Sequence, residues 1–207
     1  AALIEPGPEF DFNIWLALLG GESQRPAAEA ALDEALQRRI LRPAGQHRYL
    51  FRPADVAKTL AESLPQEQQN DWHRRIAQLL VERQANPTLI GYHYEQTGMA
   101  EKSAKYLEAA GARAMAANAI NQAIRCYSRA VELVETQSGY EALGSLYRQQ
   151  GDWTNSVRAF QQALEMAQTL NEVNIEARLP NELAFTMWLS DDYKKADQYA
   201  SAVLKLS

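Results

Sequence analysis

One cysteine in 207 residues, Cys126, leaves no internal disulfide framework and fits a reducing, cytoplasmic compartment. No stretch approaches the roughly 20 apolar residues that span a bilayer, so no membrane partner is expected. There is no G-x-x-x-x-G-K-[ST] to cradle a phosphate, no H-E-x-x-H and no cysteine pair. The net charge is −5, which argues against nucleic acid as the main partner. Glycine is scarce, ten in all, and β-branched runs are few. Ala, Leu, Gln and Glu dominate instead, and these are helix formers.

The most organised stretch runs from Tyr140 to Ala163. Tyr140, Leu143, Gly144 and Tyr147 recur at i, i+3, i+4 and i+7, one face of a helix. Gly151 and Asp152 interrupt it as a stop and a cap. Trp153, Ser156, Phe160 and Ala163 then mark a second face, and the short link folds the two helices back on each other. Gly144 opposite the small Ser156 lets the backbones approach, with Tyr147 and Phe160 filling the space beside them. With no proline after it, the second helix is expected to run on through Met166.

Before this stretch, Phe10 to Leu19 reads as an apolar helix ended by Gly20-Gly21, and a second helix starts near Pro26. Residues 40–42, a turn over Pro43 to Gln46, and residues 47–52 read as a β-hairpin with Tyr49 and Phe51 on one face. Pro53 and Pro65 open two further helices, Ala54 to Leu64 and Gln66 to about Arg83. The expected class is all-α: a winged-helix-like domain with a small hairpin over 1–83, then a solenoid of helical hairpins over 84–207. In the second part Asn86-Pro87 caps a helix, and Gly91 and Ser103 echo Gly144 and Ser156. The helix carrying Gly111 is expected to serve two neighbours. A break is expected at Leu179-Pro180, before a last copy carrying Leu183, Ala184, Met187, Asp191-Asp192-Tyr193, Ala196, Ala200 and Val203. The chain opens without Met on AALIEPGPEFDF and lacks a polar capping helix at its other end, so it reads as a piece of something longer.

The order Tyr-Leu-Gly-Tyr, Gly-Asp-Trp, Ser, Phe, Ala over 140–163 resembles the tetratricopeptide repeat. It departs in Tyr140 for Trp, Ser156 for Ala and the missing proline. The order of parts from Phe10 to Leu133 is also similar to the region that follows the ATPase module in STAND-type signalling NTPases. Tyr49-Leu50-Phe51-Arg52, Leu64-Pro65, His73 to Ala77, and Tyr92-His93-Tyr94 with Gly98 carry that likeness. It departs at Pro53, where such proteins often have His. The resemblance implies a non-catalytic regulatory segment that receives a protein, a peptide or another domain of the same chain, with no cofactor of its own.

His73 and His93 sit beside apolar helical positions and are expected to be packed, hydrogen-bonded residues, and Cys126 an inert core thiol. Asp191 and Asp192 are expected to cap a helix. Between Glu34 and Asp55 there are five arginines (Arg38, Arg39, Arg42, Arg48, Arg52) and no acid, although residues 1–83 hold ten basic against twelve acidic side chains. A basic wing of this kind supports the alternative of a DNA-binding regulator. The expected partner surface is the inner face of the repeats: Glu141, Ser145, Arg148 and Gln149 on one helix beside Arg178, Asn181, Phe185 and Trp188 on another. Arg148 and Arg178 are expected to hold a partner's carboxylates. Equally open is that Phe185 and Trp188 are covered by a further repeat.

Overall fold

The computed structural model describes residues 3–4, 7–170, 173–190 and 192–203. Asp191 and the side chain of Val203, both assigned to the last repeat copy, lie outside what is described. Among the described residues the regular structure is helical apart from one small sheet, and the contacts group the chain into two units, 1–103 and 104–207.

In the first unit, strand β1 (Glu9–Asp11) precedes helices α1 (Phe12–Leu19) and α2 (Arg25–Gln37). Strands β2 (Leu41–Gly45) and β3 (Arg48–Phe51) follow, and then helices α3 (Asp55–Glu62), α4 (Gln66–Glu82) and α5 (Pro87–Gln96). The helix, helix, hairpin order is as expected, with two corrections. Phe10 belongs to a strand, not to the first helix, and β1 pairs antiparallel with β3, giving a three-stranded sheet in the order β1-β3-β2. The reversal lies at Gln46 and His47, while Pro43 stands inside β2. Pro43 fits there because β2 is an edge strand, where a missing N–H breaks no ladder.

The side chain that organises this unit is Phe10, fully buried, with ring centroids 5.6 Å from Phe51 and 5.9 Å from both Tyr49 and Trp15. Asp11 ends β1 and caps α1 with one carboxylate oxygen, accepting from the N–H groups of Asn13 at 2.7 Å and Ile14 at 3.2 Å.

α6 (Ala100–Ala116) starts in the first unit and continues in the second, where α7 (Ile120–Leu133), α8 (Gln137–Gln149), α9 (Trp153–Leu170), α10 (Val173–Leu189) and α11 (Tyr193–Val203) follow. A glycine and a small residue twelve positions later recur through the repeats. Ser156 Oγ donates to the Gly144 carbonyl at 2.7 Å, and Ser103 Oγ to that of Gly91 at 2.8 Å. Gly111 repeats the spacing with Ala123, fully buried and without a hydroxyl. A Cβ on Gly111 would lie 2.6 Å from the Tyr127 ring, so α6 and α7 approach closely there. Ser156→Ala removes only the hydrogen bond, since a methyl is accommodated at Ala123. Its expected cost is about 1 kcal/mol in a denaturant titration.

Asp152 caps α9 as expected, accepting from Asn155 N–H at 3.1 Å, and Asp192 accepts from Lys195 N–H at the start of α11. The break expected at Leu179-Pro180 is absent: Pro180 lies inside α10. An interior proline forfeits one helical hydrogen bond at a cost of about 3 kcal/mol. The fully buried Leu179 and Leu183, packed on Phe160, Ala163 and Ala167, hold the helix together across it.

Candidate functional site

The eight residues proposed for a partner surface lie on α8 and α10, and side-chain contacts join the two helices. Arg148 Nη1 donates to Glu182 Oε2 at 2.6 Å, and the Arg178 guanidinium pairs with Glu141. The Glu141 carboxylate also accepts from Gln137. The Arg148 guanidinium carbon lies 5.4 Å from the centre of the Phe160 ring and 5.2 Å from that of Phe185. Both distances fall in the range of cation–π attraction. Arg148 is thus a strut between α8, α9 and α10, only 20% exposed.

The apolar part of this face is outermost. Phe185 and Trp188, 50% and 55% exposed, stack with centroids 6.2 Å apart and an interplanar angle of 13°. The i, i+3 spacing sets the two rings side by side on one turn of α10. Ser145 is half-buried, and Gln149 and Asn181 are exposed on the same two helices. The structure therefore pairs Arg178 with Glu141 and sets Arg148 against Phe185, whose ring stacks on Trp188.

Sequence reasoning missed Glu182 and the role of Phe160. A signal was present: acid then base on α8 (Glu141, Arg148), base then acid on α10 (Arg178, Glu182). Parallel alignment of the two helices pairs each charge with its opposite. Carboxylates from the chain itself occupy both arginines.

In the basic stretch of the first unit, Arg38 pairs with Glu34 at 2.6 Å and Arg48 with Glu9 at 3.2 Å. Two of the five arginines are thereby matched by acids that precede the stretch.

The histidines give a second constellation. His73 on α4 and His93 on α5, twenty residues apart, meet through their Nδ1 atoms at 2.8 Å, and His93 Nε2 lies 2.8 Å from the Ile4 carbonyl oxygen. Both rings are buried, His73 at 4% and His93 at 0% exposure. Burial pushes both imidazoles below their usual pKa, His93 to about 4. They are packed and hydrogen-bonded, and they are also bonded to each other, which no spacing in the sequence announces. Cys126 is buried in α7. Among the described residues no three His, Cys, Asp or Glu side chains group closely enough to hold a metal ion, and no helix is long and apolar enough to cross a membrane.

No family model matches the chain, and no curated protein matches it. Among solved structures, MamA is 14% identical over 68% of this chain and 90% of its own, with a TM-score of 0.44. BtubC (BKLC) from P. vanneervenii is 15% identical over 89% of this chain and 83% of its own, also at 0.44. A Podosopora anserina putative kinesin light chain with nearly identical TPR-like repeats is 11% identical over 73% of this chain and 92% of its own, at 0.42. All three TM-scores lie below 0.5.

Proposed function

We propose that the chain is a non-catalytic protein-interaction and regulatory segment of a larger signalling NTPase, cytoplasmic, with a winged-helix-like domain over 1–83 and tetratricopeptide-type repeats over 84–207. The α8–α10 face receives a protein or peptide, or another domain of the same chain. The observation that carries this reading is the stacked pair Phe185–Trp188, half exposed on a helix whose buried side is well packed. Large rings offer apolar contact area with few rotamers to freeze, and aromatics dominate interface hot spots.

The arginines take a different role from the one their residue type suggests. Arg148 and Arg178 are compensated by Glu182 and Glu141. They stiffen the face on which the rings stand, and the rings make the contact. The alternative of DNA binding through Arg38 to Arg52 gains no support from a stretch in which Arg38 and Arg48 are already paired.

Trp188→Ala is expected to weaken partner binding by about 1–4 kcal/mol while leaving the melting temperature nearly unchanged, because the ring is mostly outside the core. Arg148→Ala should instead lower the melting temperature, since it strands Glu182 in a half-buried position. The test is recovery of partners from the source cell by the wild-type and Trp188→Ala chains, with melts of both. Equal recovery by the two chains contradicts the reading.

A further inference from the structure

The first unit contains a cleft of about 510 Å3 whose wall includes Ala57, Lys58, Glu62, Gln69, His73 and Tyr92. Behind that wall runs the hydrogen-bonded series from the Ile4 carbonyl through His93 to His73. The proton positions follow from the ends of the series. A carbonyl oxygen only accepts, so His93 Nε2 carries a proton and donates to Ile4. A neutral His93 then has a bare Nδ1, which must accept from His73 Nδ1–H. A neutral His73 is left with its lone pair on Nε2.

Both rings stay neutral near pH 7 because burial disfavours the imidazolium form. Three of the four ring nitrogens of the pair are thus used within the protein. His73 Nε2 is the fourth, with no partner among the described residues. No fully enclosed side-chain nitrogen or oxygen among them lacks a partner, so Nε2 is reached from outside. The cleft that His73 lines is the space it reaches.

We infer that this cleft binds a small, flat, uncharged molecule carrying an O–H or N–H donor, which His73 Nε2 accepts. An aromatic frame suits the walls: the Tyr92 ring packs edge-on against His73 at 6.0 Å and 81°, and Ala57 and Ala61 add short apolar side chains to the lining. Neutrality follows from the charges: Lys58 and Glu62 at the cleft compensate each other across 3.7 Å. Their exposure leaves them solvated, so neither sign of ligand is favoured. The series through His93 to the backbone fixes the tautomer and orientation of His73, as the partners of a metal-bound histidine do for its ring. The ligand class is an aromatic alcohol or a heteroaromatic amine.

The test uses the whole chain labelled with nitrogen-15, phenol as the probe, and toluene as a probe of the same shape without the donor. Proton–nitrogen correlation of the histidine rings should show His73 Nε2 as an unprotonated nitrogen. Phenol should shift that signal saturably in the millimolar range, and toluene should bind about ten-fold more weakly, the loss expected for one hydrogen bond. His73→Phe should abolish the preference for phenol. The tautomer and the phenol-to-toluene comparison are read on the wild-type chain, so they hold even if that variant fails to fold. A protonated Nε2 in the free chain overturns the inference. So does an unmoved Nε2 signal, or equal binding of phenol and toluene.

Discussion

Replacing Gly144 with alanine is expected to destabilise the second unit by about 1–3 kcal/mol, although alanine is the better helix former by about 1 kcal/mol. The sign is decided by space. A Cβ at Gly144 would lie 2.8 Å from three carbons of the Phe160 ring, and Phe160 is 1% exposed with no room to withdraw. The Ser156 hydroxyl bonded to the Gly144 carbonyl holds α9 at that distance. Phe160→Leu in the Gly144→Ala background should recover part of the loss, giving a coupling of about 1 kcal/mol between the two positions in a denaturant-based double-mutant cycle. A gain in stability for Gly144→Ala, as helix propensity alone dictates, would show that α8 and α9 are not packed at this contact.

The second large effect concerns pH. His93 is held neutral in the fold, with a pKa near 4 against 6.5 for an ordinary histidine, and His73 is displaced in the same direction. As the pH falls below 6.5, the unfolded chain takes up protons that the folded chain refuses. Stability is therefore fully present above about pH 6.5, declines as the pH drops from 6.5 toward 4, and levels off for this group below that. The His93 displacement alone corresponds to roughly 3 kcal/mol across the window. Glu22 and Asp192 are solvent-exposed, and their carboxyls are lowered from an already acidic range, so they do not confuse the interval from pH 7 to 5. Denaturant titrations at half-unit pH steps, with the His93 ring followed by nitrogen-15 resonance, measure both quantities. Constant stability from pH 7 to 5, or a His93 ring that titrates near 6.5, would contradict a buried neutral pair.

Much of the fold was legible because its determinants are local. Asn86 before Pro87, Gly20 after Leu19, and Asp152 after Gly151 each place a helix end within three residues of the signal. The Gly144–Ser156 approach was legible too, since a three-residue link leaves helices no choice but to return. What escaped depends on distance along the chain. β1 is three residues long, and its partner β3 begins at Arg48, so neither length nor alternation marked it as a strand. Pro180 reads as a break, and only the burial of Leu179 and Leu183 against another helix overrides it. The site divides in the same way. Helical spacing brought Arg148, Phe185 and Trp188 to one face, while the pairing of each arginine with an acid 34 or 37 residues away depended on how α8 and α10 align. Arginine and glutamate look the same in a sequence whether they meet each other or a partner.

The most direct test of the α8–α10 face as an interaction surface is site-specific photocrosslinking in the source cell. A photoreactive phenylalanine analogue replaces Trp188 in one chain and the exposed Gln168 of α9 in another. Discrete protein adducts are expected from position 188, absent from position 168 and reduced when Phe185→Ala is added. An identical adduct pattern from both positions, or no adduct from position 188, would contradict a partner seated on these rings.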